Sequence, residues 1–565
     1  MARNDKKSAK DPTSELVFLP LGGAGEIGMN VYLYGLGPED ARQWLMVDCG
    51  VTFPDDREPG VDVVFPDLRF IEDERANLAA IVLTHAHEDH FGAVAEVWPR
   101  LRVPVYGTRF SVAMLREKLE EYPWREEVPI HEVAPGDRLD IGPFDIEIIS
   151  MAHSIPDATA LAIRTPLGTV LHSGDWKLDP KPGAGAPTDE TALRRLGDEG
   201  VDVLVCDSTT IFSEGTTTSE ADVAATLGRV IRQARGRIAI TSFASSVSRL
   251  LGVARAASSA SRELVLVGRS MHRIVEIARD TGLWPEKLKT HTEEEFSRIP
   301  AHKVVALLTG SQGESRAALA RIADKQHPLV SLSHGDTVVF SARAIPGNEQ
   351  AINRILNNLA DMHVETITEW PDGPIHTSGH PRRGDVAQLY EWVRPKALIP
   401  MHGEPRHLEA HATFAREHDI AALSDVRNGH MVRLLPGEAA IIDEAPVGKI
   451  YRDGALLVSG DEDMIRQRRK LSFVGAVTVS VVMKKGGDFA CDPQIVTTGL
   501  PMTDARGEQF SAIAETAIFG AIESIPRPRR KDADMLAEAV RRSVRSAVRN
   551  AWGKKPICTV MVSVV

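Results

Sequence analysis

The chain has 565 residues, 43% hydrophobic, 25% charged and 5% aromatic. At about 100 to 200 residues per domain it should form roughly three packing units, and its balance is that of a globular protein, neither fibrous nor disordered. A net charge of −12 argues, taken alone, against a polyanionic partner, but residues 456–565 carry 17 Lys and Arg against 12 Asp and Glu, so the C-terminal stretch is a different kind of unit.

Residues 1–15 have basic residues but no apolar run behind them and read as a flexible tail, not a secretion signal. From Leu16 to Asp207, short β-branched runs separated by turn residues predict stacked sheets. Within them GAGEIG, residues 23–28, matches the spacing of a dinucleotide-binding loop. That loop needs a helix to begin at its glycines, whereas MNVYLYG reads as a strand, so the glycines are expected to serve a hairpin that brings backbone close to an active site. From Ser219 to Val364 strands alternate with helices, the pattern of a parallel sheet. ALIPMHG then resumes the first style, which marks the second unit as an insertion. The expected boundaries are 16–208 and 384–438 for the first domain, 209–383 for the insert, 439–455 for a linker and 456–565 for a small α+β domain. In that last domain FVGAVTVSVVMKK reads as a strand. The final helix has an apolar stripe at Leu536, Val540, Val544 and Val548 beside Arg541, Arg542, Arg545 and Arg549, which suits a solvated face, an oligomer contact or a surface that guides RNA. The longest uncharged apolar stretch, Leu471 to Met483, is too short for the roughly 20 residues of a membrane span, so no membrane partner is expected. Cys49, Cys206, Cys491 and Cys558 are too scattered for metal clips and too few for a disulfide framework, which predicts a reducing cytoplasm.

The densest chemical signal is THAHEDH, residues 84–90. Three imidazoles and a carboxylate crowded into one strand end are unfavourable unless they bind something. His85 and His87 can face one ion while Asp89 and His90 reach a neighbouring one. His153, Asp175 and His402 each close a further strand-like run, and together the seven offer N and O ligands for two borderline-hard cations such as zinc or manganese.

The HxHxDH motif, the later histidine, the SGD aspartate and the glycine-rich hairpin resemble the metallo-β-lactamase fold. DSTTIFSEGTTTSE (207–220), SFASSVSR (242–249), TGSQGE (309–314), HTSGH (376–380) and PMHGE (400–404) are similar to β-CASP nucleases, and with a C-terminal α+β domain the whole resembles the ribonuclease J family. That resemblance implies an αββα sandwich with an inserted β-CASP α/β domain. It also implies two divalent cations, Zn²⁺ foremost with Mn²⁺ or Mg²⁺ as alternatives: His85, His87 and His153 would hold one, Asp89, His90 and His402 the other, and Asp175 would bridge them. Two such ions about 3.5 to 4 Å apart can activate a shared hydroxide for attack on a phosphodiester. Asp48 would orient a ligand or the nucleophile from behind. His380, paired with Asp207, would give the leaving oxygen its proton. Ser378, Gly379 and Ser245, with His380 and a shaping role for Phe243, would seat a 5′-monophosphate. His172 and His376 read as structural, with His376 also a candidate for lining the RNA groove. The implied activity is 5′-to-3′ exonucleolytic removal of nucleotides from single-stranded 5′-monophosphorylated RNA, with additional internal cleavage, in RNA maturation and decay. Assembly into dimers or tetramers through the C-terminal domain is implied as well, and other RNA-decay proteins are candidate partners. A small-molecule hydrolase on the same scaffold would need neither the insert nor HTSGH, an inactive scaffold would have lost ligands, and a β-CASP DNA nuclease stays open because no residue here reads the 2′-hydroxyl.

Overall fold

Two β-sheets face each other across a shared apolar core in the computed structural model, which describes residues 14–345 and 347–565. The first sheet runs through Ala440–Glu444, His430–Leu435, Glu15–Gly22, Val31–Gly37, Gln43–Val47, Leu78–Val82, Val105–Thr108 and Ile130–Val133. In the second, the strands Val203–Asp207 and Ala397–Met401 lie side by side in parallel, although nearly two hundred residues separate them in the chain. Between them in sequence comes a five-stranded, all-parallel sheet ordered Glu263–Val267, Val304–Leu308, Ile238–Thr241, Thr337–Phe340 and Glu365–Ile367. Its apolar strands, buried almost throughout, and its intervening helices are those of an inserted α/β domain. The fold is thus the αββα metallo-β-lactamase sandwich interrupted by a second α/β layer system.

The described residues form two compact units, one of Phe65–Lys449 with the chain up to Thr52, the other of Phe53–Val64 with Ile450–Val565. In the second unit the strand Ala476–Met483 alternates buried Val477, Val479, Val481 and Met483 with half-buried residues. The buried row packs against Leu536, Val540, Val544 and Val548 of the helix Ala533–Trp552, all fully buried, as period-2 and period-3.6 patterns meeting at one core require.

Four expectations change. Glu15, assigned to the tail, opens the first strand, while residues 1–13 of that tail lie outside the described residues. The linker 439–455 holds two strands, Ala440–Glu444 and Lys449–Asp453. Residues 53–64, expected in the first domain, belong with the C-terminal unit, where the Asp62 N–H donates to the Arg452 carbonyl at 2.9 Å. Phe473 and Val474, read as strand, end the helix Met464–Val474, because Gly475 at φ 61° turns the chain before the strand begins. The hairpin reading of GAGEIG stands: the next regular element is the strand Val31–Gly37, Gly25 N–H donates to the Gly403 carbonyl at 3.0 Å, and His402 N–H donates to the Gly23 carbonyl at 2.7 Å. Among the described residues no helix is long and apolar enough to cross a membrane.

Candidate metal centre

Most of the chemistry-bearing residues sit where a strand ends and the backbone is free to turn, while Asp89 and His90 lie in the short helix Glu88–Phe91. Asp48 follows Gln43–Val47, His85 and His87 follow Leu78–Val82, Asp175 follows Thr169–His172, Asp207 ends Val203–Asp207, and His402 follows Ala397–Met401. Asp48 and His402 adopt the left-handed backbone conformation (φ 60° and 50°), which is uncommon for non-glycine residues and is tolerated where surrounding structure over-determines it.

All seven predicted ligands converge. His85, His87, His153 and Asp175 form one cluster, Asp89, His90, Asp175 and His402 a second, and Asp175, Asp207, His380 and His402 a third, with Asp175 common to all. In the first, His87 Nδ1 lies 3.1 Å from His85 Nε2 and 3.0 Å from His153 Nε2. Hydrogen bonds on the far side of two of these rings decide which nitrogen carries the proton. The Gly379 carbonyl can only accept, so His153 Nδ1 donates to it at 2.6 Å and Nε2 keeps its lone pair. Thr84 Oγ1 donates to Asp48 Oδ2 at 2.7 Å and can therefore accept from His85 Nδ1 at 3.0 Å, which leaves His85 Nε2 bare. Asp48 also accepts from His90 Nδ1 at 2.7 Å and from the Thr84 N–H at 2.7 Å. One buried carboxylate thus holds the His90 ring directly and the His85 ring through Thr84.

The electrostatics suit a cation. Burial, reinforced by neighbouring imidazoles, holds His85 and His153 well below the usual histidine range and brings His87 down to about 4, so three neutral rings bring nitrogen atoms together, those of His85 and His153 with bare Nε2 lone pairs. Burial would raise Asp175, but His402, His90 and His380 outweigh it and hold the carboxyl well below its usual range. Asp175 Oδ1 lies 2.9 Å from His402 Nδ1, and His402 Nε2 lies 3.3 Å from Asp89 Oδ2. Imidazole nitrogens and carboxylate oxygens buried and converging in this way are what a divalent ion satisfies.

The inserted domain completes the centre. His380 Nδ1 lies 2.8 Å from Asp207 Oδ2 and 3.8 Å from Asp175 Oδ2. Burial would lower its pKa, but Asp207 and Asp175 outweigh burial and raise it. Gly379 has to be glycine, since a Cβ there would stand 2.8 Å from His153 Cε1. Ser378 Oγ accepts the His380 N–H at 3.0 Å. Ser245 and Phe243 lie at the turn into the helix Val247–Ser259, with Phe243 exposed. His172 is fully buried, its Nδ1 2.9 Å from the Tyr34 hydroxyl. His376 lies 3.5 Å from Arg249 Nη1, away from the clusters, and burial together with that guanidinium brings it down to about 3.

Sequence reasoning missed Asn30. Its Oδ1 accepts from Tyr32 Oη at 2.7 Å, which turns Nδ2 toward the Asp89 carbonyl at 3.1 Å and His90 Nε2 at 2.9 Å. The available signal was a buried polar residue between the glycine loop and a strand. Asn30→Ala is expected to weaken metal retention about 10- to 100-fold, measured by competition with a chromogenic chelator; unchanged affinity would mean that the amide orients nothing.

Converging histidine and aspartate clusters on an αββα sandwich with an α/β insert define a metallo-β-lactamase-fold hydrolase of the β-CASP group. Family models match accordingly: the metallo-β-lactamase superfamily over residues 25–227, the ribonuclease J β-CASP domain over 235–359, a Zn-dependent metallo-hydrolase RNA specificity domain over 374–423 and the ribonuclease J C-terminal domain over 463–565. A ribonuclease J from Sinorhizobium meliloti is 52% identical over 551 residues, 98% of each chain. One from Corynebacterium glutamicum is 36% identical, covering 97% of this chain and 76% of its own, and one from Thermus thermophilus is 34% identical, covering 92% and 91%. A solved structure of a protein of unknown function from Enterococcus faecalis V583 shares the fold at a TM-score of 0.50 and 16% identity, covering 76% of this chain and 100% of its own. The chain belongs to the ribonuclease J family, and it is a metal-dependent, RNA-binding ribonuclease.

Proposed function

We propose that this ribonuclease shortens single-stranded RNA from a 5′-monophosphorylated end, one nucleotide at a time in the 5′-to-3′ direction, and also cuts internally. The observation that carries the reading is the fastening of the HTSGH loop to the metal centre, through Gly379 to His153 and through His380 to Asp207. A phosphate seated by Ser378 and the loop backbone would lie beside Asp175, so the bond cut would be near the chain's 5′ end.

Two divalent cations, Zn²⁺ foremost with Mn²⁺ or Mg²⁺ as alternatives, fit the donor set: His85, His87 and His153 for one, Asp89, His90 and His402 for the other, with Asp175 between. Such ions supply Lewis acidity toward a phosphoryl oxygen and a water nucleophile at neutral pH. Asp48 orients His90 directly and His85 through Thr84. His380, with Nδ1 anchored on Asp207, is left with Nε2 to present a proton to the leaving 3′-oxygen. Ser378, Gly379 and Ser245, shaped by Phe243, seat the 5′-phosphate, and His376 lines the RNA groove. We further assign 15–52 and 65–208 with 384–449 to the metallo-β-lactamase domain, 209–383 to the β-CASP domain and 450–565, with 53–64, to a C-terminal unit through which dimers or tetramers form. Action in the cytoplasm, in RNA maturation and decay alongside other decay proteins, follows from that reading.

The test is digestion of 3′-labelled RNA carrying a 5′-monophosphate or a 5′-triphosphate, with Mn²⁺ or Mg²⁺ added or withheld. Stepwise shortening that favours the monophosphate is expected, and Ser378→Ala should erode that preference while sparing internal cleavage. Equal cutting of both RNAs by the unaltered protein would overturn the 5′-end reading, and a parallel fall of both activities in Ser378→Ala would overturn the pocket assignment.

A further inference from the structure

Two residues beyond Asp175, the chain enters a second cluster of buried charge that the chemistry above does not use. Lys177 is fully buried, and Asp179, Glu220 and Arg249 are 2%, 3% and 2% exposed. Lys177 Nζ lies 3.1 Å from Asp179 Oδ2 and 3.7 Å from Glu220 Oε1. Arg249 grips Glu220 with Nε and Nη2 at 3.0 and 2.9 Å, and its Nη1 donates to the carbonyl and hydroxyl of Ser341 at 2.7 and 2.8 Å. Asp179 accepts from Ser219 Oγ at 2.7 Å and from the Glu220 N–H at 2.9 Å. Two cations and two anions cancel.

A set of this kind is a poor source of stability. Taking charges out of water costs several kcal/mol for each ion, and packed apolar residues of the same shape commonly do as well or better. What such a set does supply is geometry, because each member tolerates only one arrangement of its partners. The elements it joins are the two functional loops. Lys177 and Asp179 continue the loop that presents Asp175, while Arg249 reaches to 3.5 Å from His376 in the HTSGH loop. Residues 217–220 lie between them, clasped by Asp179 on one side and on the other by hydrogen bonds from Thr377 Oγ1 to the Thr218 carbonyl (2.7 Å) and from Thr217 Oγ1 to the His380 carbonyl (3.3 Å).

We propose that Lys177, Asp179, Glu220 and Arg249 form a positioning device that sets the distance between the 5′-phosphate seat and the Asp175 centre, and with it the number of nucleotides released in each 5′-end cut. The inference rests on the 5′-end reading given above. Internal cleavage does not engage the seat, so it depends on the metal centre and on His380, whose ring Asp207 anchors independently of the set. The device therefore acts on one activity far more than on the other, which a role confined to stability would not do.

The test uses Lys177→Met/Asp179→Asn, which removes one charge of each sign, and Arg249→Lys, which keeps the charge but loses the two-pronged grip. A 5′-monophosphorylated linear RNA reports end cleavage, and a circular RNA, having no end, reports internal cleavage by its first cut. A shift of about 1 Å between seat and centre should cost end cleavage about a hundredfold, with dinucleotides appearing among the products, while opening of the circle and bound metal stay near the unaltered protein's values. Equal losses on both RNAs with only mononucleotides released would overturn the proposal, as would no change on either. Should the double variant fail to fold, the outcome with Arg249→Lys decides. An unaltered protein indifferent to the 5′ end overturns the 5′-end reading and the proposal together, whereas a discriminating protein whose variants discriminate equally well overturns the proposal alone.

Discussion

Asp175→Asn is expected to lower RNA cleavage by about a thousandfold or more and to leave the protein with less bound metal. The magnitude follows from the charge the residue brings: a divalent ion's stabilisation of the transition state amounts to several kcal/mol, and about 4 kcal/mol is a factor of roughly a thousand in rate. Asparagine preserves the volume but removes the one anion common to all three clusters. Its loss should also change the pH dependence of metal uptake. His402 is raised to about 10, and His90 well above its usual value; burial opposes both shifts, and Asp175 is the largest of the charges that outweigh it. Both rings must lose a proton to become ligands, so protons compete with metal, and affinity in the unaltered protein should climb as pH rises from about 6 to 8. Without Asp175 the two pKa values fall, and that climb should flatten. Metal analysis of dialysed protein at several pH values, beside a cleavage assay and a circular dichroism spectrum, checks all of this. A variant that keeps its metal and cuts RNA at the original rate would remove Asp175 from the centre.

The histidines and aspartates that converge in the fold were legible in the sequence for a physical reason: four of them lie within six residues, and a strand end so dense in imidazole and carboxylate has few other uses. The remaining three could be recognised because each closes an apolar run. Residues whose role depends on distant partners were harder to see. Asn30 stood in a run read as a strand, and only the fold brings it beside Asp89 and His90. Glu220 and Arg249 stood inside motifs that were noticed, and Lys177 just beyond another, yet nothing local tells that the three meet in one buried set. The capture of residues 53–64 by the C-terminal unit depends on backbone pairing with a segment almost four hundred residues away, and no periodicity encodes a partner at that separation. The boundary at Gly475 failed differently: helix and strand share one continuous apolar run there, and periodicity alone cannot place the break between them.

His380→Ala is expected to slow cleavage of RNA by about 100- to 10,000-fold, the range over which a positioned general acid contributes, while sparing a substrate that needs no proton on its leaving group. The argument turns on which nitrogen is free. Nδ1 is held by Asp207 Oδ2 at 2.8 Å, so a proton on Nε2 is the one available to a leaving oxygen. Burial pulls the ring's pKa down, but Asp207 and Asp175 outweigh it, and the net shift is upward from the usual value of 6.5. A raised pKa keeps the acid form populated at neutral pH, and cleavage should fall as pH rises through that value. Asp207→Asn removes the largest of the charges that raise it, so the alkaline limb of the pH–rate profile should move to lower pH. A p-nitrophenyl phosphodiester, whose leaving group departs as a stable anion, isolates the role: His380→Ala should retain most activity on it while losing RNA cleavage. Equal losses on both substrates would make His380 a binding or structural residue. An alkaline limb unmoved by Asp207→Asn would assign the titration to some other group, even if His380 proved essential.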